Sequence, residues 1–224
     1  MDVNARRWER AKLTRSFDAA AGCLVAAKAH YQVVEATTGV PWAIIAVIHE
    51  RESSQNWSRS LAQGDPWDKP SVHVPAGRGP FESWEDAAVD ALVNCAPHAA
   101  RWRDWSIGGA LTLLEQYNGL GYARRGAPSP YVWAGTDQYR AGKYVRDGVY
   151  DPDAVDRQLG CAGLLKAMMV IDPSIGFPNR PEEAKPPSLT RPPPAASRAS
   201  IRQPAKGSIG AFFVALVMRV LGGS

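Results

Sequence analysis

The sequence predicts a mainly α-helical domain over residues 1–178, followed by a disordered linker and a short hydrophobic helix. Apolar residues recur at helical spacing on both sides of a Gly- and Pro-rich stretch at 55–82, which leaves room for one small hairpin. Seven prolines then fall within residues 181–206, a stretch with too little apolar surface to build a core. The segment from Ile209 to Leu221 is apolar apart from one arginine.

The helices of the domain are predicted from composition, apolar spacing and end signals. Pro41 suits the first turn of a helix, and Ser83 with Asp86 has the pattern of an N-terminal cap. Ser106 marks a further start. The expected helices span residues 4–36, 41–53, 87–95, 106–117 and 153–171. The other expected elements are a short strand at 71–74 and a Gly- and Tyr-rich loop at 119–150.

The C-terminal segment is predicted to be an extended arm with an apolar tip. Residues 179–207 are assigned to the flexible linker and residues 208–224 to the hydrophobic helix. The apolar run gives a helix of about 20 Å, shorter than a ~30 Å hydrocarbon core, so a full membrane span is not expected. Apolar residues of Ile209–Leu221 recur at i, i+3, i+4 and i+7. This spacing suits a helix in a membrane interface, and equally a helix that docks on a partner.

Charge and cysteine content exclude several classes of function. Residues 1–180 hold twenty basic and twenty acidic residues, so the net charge of +4 belongs to residues 181–224. A domain of balanced charge is not expected to bind nucleic acid. Three widely spaced cysteines indicate buried thiols rather than a disulfide framework, and His73 lacks a second metal ligand at useful spacing, so no metal or cofactor is predicted. The charged N-terminus has no signal-peptide pattern, which predicts synthesis in the cytoplasm.

The helix predicted over 41–53 places a carboxyl group on an apolar stripe. At about 100° per residue, one face carries Ile44, Ile45 and Ile48. Glu52 continues that face at the helix end, whereas Glu50 points to the other side. Burial raises the pKa of a carboxyl group, as a general acid at neutral pH requires. The alternative is a structural Glu52 held by a neighbouring Arg51 or Arg78.

A second polar residue repeats this pattern in the helix that begins at Ser106. One face of that helix carries Ile107, Leu111 and Leu114. Asn118 follows four residues after Leu114 on the same face. A buried amide needs hydrogen-bond partners or serves a ligand, so Asn118 is a candidate site residue. The alternative is a helix cap, because Gly119 comes next.

Two motifs together resemble a known family. The stretches VIHERESS and EQYNGLGY resemble the lysozyme-like fold of goose-type lysozymes and soluble lytic transglycosylases, and SPYVWAGTDQY resembles a phage or prophage endolysin branch. The resemblance covers about residues 38–165 and implies that Glu52 is the catalytic acid, followed by Ser53. It also implies that Tyr117 and Asn118 face the same cleft. The implied reaction cleaves the β-1,4 bond between N-acetylmuramic acid and N-acetylglucosamine in peptidoglycan, at the cell wall.

One departure from the family concerns how the reaction ends. Transglycosylases usually carry a Gly-Leu-Met-Gln-like stretch after the catalytic helix, whereas this chain has a loop containing Asp65. The departure favours hydrolysis, in which a second carboxylate orients water on the opposite face of the sugar. Asp65 is the candidate, Asp68 is the reserve, and the alternative for Asp65 is a turn residue. In the transglycosylase alternative, Glu52 acts alone and the product is a 1,6-anhydro sugar.

Aromatic and polar residues near the loops are candidates for glycan binding, because aromatic faces pack against sugar rings. The candidate substrate-binding residues are Ser53, Arg78, Tyr117, Asn118, Tyr122, Tyr131 and Trp133. Two interpretations without catalysis stay open. One is a wall-binding module with the same fold, and the other is a membrane-associated structural protein whose function lies in its C-terminal arm.

Overall fold

The computed structural model describes residues 2–62 and 64–178. Within these residues the protein is mainly helical, with one two-stranded antiparallel sheet. The helices are α1 (Asp2–Arg10), α2 (Asp18–Ala26), α3 (Lys28–Thr38), α4 (Trp42–Ser53), α5 (Trp84–Asn94), α6 (Ile107–Tyr117), α7 (Gly121–Arg124), α8 (Pro130–Trp133) and α9 (Cys161–Ile171), with a 3-10 turn at Ala99–Arg101. The strands are β1 (Lys143–Arg146) and β2 (Val149–Asp151). The predicted linker and hydrophobic helix, 179–224, lie outside the described residues.

The single long helix predicted over 4–36 is wrong, because the chain forms α1, α2 and α3 there. Between α1 and α2 the backbone pairs with a distant loop: the Thr14 N–H donates to the Gly135 carbonyl at 2.9 Å. Phe17 is buried against Gly135 and Gly163, where a Cβ on either glycine would overlap the phenyl ring. These tertiary contacts outweigh the helix propensity of the local sequence.

Helix α4 forms where it is predicted and lies at the centre of the core. It packs against α2, α3 and α9, and every residue from Trp42 to His49 is buried. The helix ends at Ser53, and its C-cap residue Ser54 adopts a left-handed conformation and donates its N–H to the Glu50 carbonyl at 2.9 Å. In the described part of the chain no single helix has the length and apolar character to cross a membrane. Helices α3 and α4 have that length and apolar character only when taken together, and a bend of 113° separates them.

The caps predicted at Ser83 and Ser106 are confirmed. The Ser83 hydroxyl accepts a hydrogen bond from the Asp86 N–H at 3.1 Å and begins α5. The Ser106 hydroxyl accepts from the Gly109 N–H at 3.3 Å and begins α6, which ends at Tyr117 as predicted. Serine oxygens at this position satisfy backbone N–H groups that have no partner within the helix.

The predicted hairpin exists, but in another place. Residues 71–74 form a loop rather than a strand, whereas β1 and β2 pair within the segment predicted to be a loop. The sequence KYVRDGVYD carries the signal: Asp147-Gly148 is a hairpin turn between residues that favour strands. The last helix begins at Cys161, not 153, because residues before it are tied to the neighbouring loop: the Gly142 N–H donates to the Ala154 carbonyl at 2.8 Å.

Candidate active site

Glu52 lies in the last turn of α4, with its residue surface partly exposed and its carboxyl group largely enclosed by protein. The Tyr131 hydroxyl donates a hydrogen bond to Glu52 Oε1 at 2.8 Å. Burial raises the pKa of Glu52 to about 7, although the Tyr131 hydrogen bond and the positive charge of Arg51 act in the opposite direction. A carboxyl group with this pKa is partly protonated at neutral pH, as general acid catalysis requires.

The alternative in which an arginine pairs with Glu52 is wrong. Arg51 donates through Nη2 to Asp156 Oδ2 at 3.0 Å and through Nη1 to the Leu159 carbonyl at 3.2 Å. Arg78 forms a two-pronged ion pair with Asp90. Within the described residues Glu52 therefore has no direct cationic partner, and its carboxyl group is free to hold a proton.

Tyr131 is held in place by the short helix α8 and by Arg51. Pro130 occupies the first turn of α8, and the Arg51 guanidinium lies 4.7 Å from the centre of the Tyr131 ring. Asp156 fixes Arg51 from the other side, and its Oδ1 lies 3.6 Å from Lys143 Nζ. No local sequence pattern indicates the role of Asp156, which pairs with Arg51 across about a hundred residues of chain.

Tyr117 lies close enough to Glu52 for the two groups to interact electrostatically. Burial raises the pKa of Tyr117, and the negative charge of Glu52 adds to that effect. Among the described residues the Tyr117 hydroxyl has no hydrogen-bond partner although the atom is inaccessible to water. A buried hydroxyl without a partner is unusual and marks a position where a ligand group can complete the hydrogen bonding.

Asn118 has features of both interpretations, a helix cap and a side chain that forms a specific hydrogen bond. It is the C-cap residue of α6 and precedes Gly119 with a positive φ of 76°. Its side-chain Nδ2 donates to the hydroxyl of Ser129 at 3.1 Å. Because Ser129 immediately precedes α8, this bond ties the end of α6 to the helix that carries Tyr131.

The remaining predicted substrate-binding residues have mostly structural contacts. Trp133 has no exposed surface and belongs to the core, so it does not line a cleft. The buried Ser53 hydroxyl donates to the His49 carbonyl at 3.2 Å within α4, and Arg78 is occupied by Asp90. Tyr122 is buried against the hairpin, and its hydroxyl accepts from the Tyr144 N–H at 3.0 Å. Trp133 is therefore excluded from the cleft, whereas a role of Ser53, Arg78 and Tyr122 in glycan binding stays a prediction.

Asp65 is buried in the loop that follows α4 and organises that loop. Its Oδ2 accepts from the N–H groups of Val72 and His73, both at 2.9 Å, and its Oδ1 lies 2.6 Å from His73 Nδ1. Burial favours the neutral carboxyl, but these hydrogen bonds outweigh it and lower the pKa of Asp65. The loop approaches α4, since a Cβ on Gly64 would lie 3.3 Å from the Glu52 carbonyl oxygen. The reserve candidate, Asp68, is exposed in the same loop.

An aromatic cluster that sequence reasoning missed supports α4 on the side of His49. The His49 ring contacts Trp57 and Trp84, and its Nδ1 lies 3.0 Å from the Tyr31 hydroxyl. Burial lowers the pKa of His49 to about 4, so the ring is neutral at pH 7. In the sequence only the number of tryptophans points to such a cluster. Its residues come from three separate segments, so no local pattern brings them together.

Within residues 2–62 and 64–178, no group of three or more His, Cys, Asp or Glu side chains could hold a metal ion. The carboxyl group of Glu52 can hold or release a proton near pH 7, and the Tyr131 hydroxyl hydrogen-bonds to it. No protein-family model, no curated protein and no solved structure matches this chain. The functional conclusion therefore depends on the chemistry of the site.

Proposed function

We propose that this chain cleaves the β-1,4 bond between N-acetylmuramic acid and N-acetylglucosamine in peptidoglycan, by hydrolysis with Glu52 as the general acid. The observation that carries the proposal is the environment of the Glu52 carboxyl group. It lies at the end of a buried helix, accepts one neutral hydrogen bond from Tyr131, and has a pKa of about 7. The proposed partner is the glycan strand, and the proposed place of action is the cell wall.

Proton transfer follows from the hydrogen-bond pattern at Glu52. Tyr131 donates to Oε1, which leaves Oε2 to carry the proton. Protonated Glu52 gives that proton to the glycosidic oxygen as the bond between that oxygen and C1 breaks. Water then adds to C1 of the developing oxocarbenium ion, and the proton that the water loses passes to a second carboxylate, for which Asp65 is the predicted candidate. The Tyr131 hydrogen bond and the charge of Arg51 stabilise the carboxylate that remains.

One observation favours a second candidate, the lytic transglycosylase reaction. Both oxygens of Asp65, the predicted water-orienting carboxylate, are occupied by hydrogen bonds within its own loop. In this second reaction the muramic acid 6-hydroxyl attacks C1, and the Glu52 carboxylate takes the hydroxyl proton. The product is a 1,6-anhydro sugar, one water lighter than the product of hydrolysis.

The test compares the full chain with Glu52→Gln on purified peptidoglycan, with released muropeptides weighed by mass spectrometry. Losing a general acid should lower the rate by roughly 10²–10⁴-fold. Glu50→Gln is the matched control, because Glu50 lies two residues away and contacts Gln55 instead of Tyr131. Reducing ends support hydrolysis, and products lighter by one water support the second candidate.

The same experiment separates an enzyme from a binding module. A folded wild-type chain that sediments with peptidoglycan but releases no muropeptide would overturn the enzyme proposal in favour of wall binding. Equal loss of activity in Glu50→Gln and Glu52→Gln would remove the specific role of Glu52. The predicted contact of Ile209–Leu221 with a membrane or partner stays a prediction, since that segment lies outside the described residues.

A further inference from the structure

A cavity of about 370 Å³ lies beside the Arg51–Asp156 pair, away from the Glu52 carboxyl group. Three arginines line it: Arg15 comes from the segment between α1 and α2, Arg140 from the segment before β1, and Arg157 from the segment before α9. Its volume falls within the range of small-ligand sites. Nothing in the proposed cleavage reaction requires these residues.

The arginines of this cavity are not neutralised by the protein. Arg140 and Arg157 are exposed, and neither side chain has an ion pair or hydrogen bond among the described residues. Arg15 donates through Nη1 to the Arg157 carbonyl at 2.7 Å, which holds its guanidinium at the cavity wall. Three cationic residues therefore contribute to the lining of one concave surface, and such a surface concentrates anions.

The single carboxylate in the cavity lining does not offset this charge. Asp156 is buried, and its Oδ2 accepts from Arg51 at 3.0 Å. Its Oδ1 accepts from the Gln158 N–H at 3.1 Å and lies 3.6 Å from Lys143 Nζ. With Arg51 and Lys143 on its two oxygens, Asp156 has no unpaired charge to share with the three arginines.

We infer that this cavity binds a phosphate group, either as a free small phosphate or as part of a phosphodiester chain. Guanidinium groups match phosphate oxygens through paired N–H donors, and arginine suits this geometry better than lysine does. A phosphate monoester offers three acceptor oxygens and up to two negative charges, and a phosphodiester offers two acceptor oxygens and one charge per link, so either can pair with more than one of the arginines that line the cavity. Thr14 is also among the residues that line the cavity.

The inference does not depend on the glycan-cleaving activity, and its test does not measure that activity. The full chain is titrated at low salt with inorganic phosphate, sn-glycerol 3-phosphate and a poly(glycerol phosphate) chain, and binding is followed by calorimetry. Amide NMR shifts at Thr14, Gly135 and Tyr139, which line the cavity, locate the bound probe. The test variant is Arg140→Ala/Arg157→Ala.

The control variant is Arg124→Ala/Arg146→Ala, which removes the same charge from exposed positions outside the cavity. We expect the cavity variant to bind the best probe roughly tenfold more weakly or worse, since each lost charge-assisted hydrogen bond is costly. The control should stay within about twofold, because distant surface charges are screened. None of the four substituted arginine side chains has a hydrogen bond or ion pair among the described residues, so both variants should keep the wild-type melting temperature.

Each outcome decides the inference. Binding of inorganic phosphate that depends on Arg140 and Arg157 supports the site and a free-phosphate ligand. Binding of the polymer alone, with the same dependence, supports the site and a phosphodiester ligand. Absence of binding to all three probes overturns the inference, as does equal weakening in the cavity and control variants, which would reflect net charge alone.

Discussion

Glu52 and Asp65 are two enclosed carboxyl groups, one on a helix and one on the loop that follows it, with opposite acid–base behaviour. Burial raises the pKa of Glu52 to about 7, and among the described residues the only hydrogen bond to its carboxyl group comes from the neutral Tyr131 hydroxyl. Burial acts on Asp65 as well, but two backbone N–H groups and an imidazole lower its pKa. The donors around a buried carboxyl group, more than burial itself, decide whether it serves as an acid or as a structural anion.

The first way to test this comparison is the pH dependence of glycan cleavage, where the largest effect is expected. The proposed acid must be protonated, so activity should fall as pH rises through about 7. Two pH units above that value the rate should be about a hundredfold lower, as for a single titrating group. The measurement is the initial rate of muropeptide release between pH 5 and 9.

Tyr131→Phe provides the control for that profile. The Tyr131 hydrogen bond lowers the pKa of Glu52, so removing the hydroxyl should move the alkaline limb to higher pH. A profile that stays in place in Tyr131→Phe, or a wild-type rate that is flat up to pH 9, would show that Glu52 is not the titrating acid.

The second test measures the free energy of unfolding, whose dependence on pH has opposite signs for Glu52 and Asp65. The folded pKa of Glu52 exceeds its ordinary value of 4.5, so the wild type loses stability as pH rises from about 4.5 to 7. Glu52→Gln avoids this cost and should be more stable by about 2–3 kcal/mol at pH 8, an upper figure because the residue is partly exposed. Chemical denaturation at several pH values measures the difference.

The pH dependence of the stability gained in Glu52→Gln provides an internal control. Below about pH 4.5 Glu52 is protonated in both the folded and the unfolded chain, so the two proteins should be equally stable there. A gain that persists at pH 4 would indicate improved packing rather than relief of a buried charge. Stabilisation by removal of a catalytic group is a common consequence of strained active sites.

Local sequence pattern predicts the features of this protein that depend on neighbouring residues. The helix that carries Glu52, the caps at Ser83 and Ser106, and the end of α6 follow from spacing and residue type, and the structure has them. The same reasoning places Glu52 at the end of a buried helix, although the apolar surface of α4 extends around the whole helix rather than along one stripe.

Features that depend on distant contacts were not predictable in this way. The break between α1 and α2 exists because Thr14 pairs with Gly135, and the fixed position of Arg51 depends on Asp156. Trp133 sits in a short helix whose neighbours bury it completely, so its place in the core depends on packing that spacing does not encode. The hairpin at Asp147-Gly148 differs from these features, because its turn residues are a local signal in the sequence.

The third test is the substitution Asp65→Asn, for which the smallest effect is expected. It should lower the free energy of unfolding, whereas Glu52→Gln should raise it. The substitution removes the charge that three hydrogen bonds stabilise, so the protein should lose about 1–3 kcal/mol of unfolding free energy at pH 7. Because the folded pKa of Asp65 lies below its ordinary value of 3.8, the loss should shrink as pH falls below about 4. Denaturant unfolding of both proteins at pH 7 and pH 3 measures it.

Activity in Asp65→Asn then decides between the two reactions proposed for Glu52. If Asp65 only organises its loop, the folded variant should keep muropeptide release within about tenfold of wild type, far above the rate of Glu52→Gln. Glu82→Gln is the matched control, since Glu82 is exposed in the same segment between α4 and α5 and is not a candidate for the reaction. Loss of activity in Asp65→Asn comparable to Glu52→Gln, with stability retained, would instead assign Asp65 to the orientation of water and favour hydrolysis. Retained activity with anhydro products would leave Glu52 as the sole acid and base.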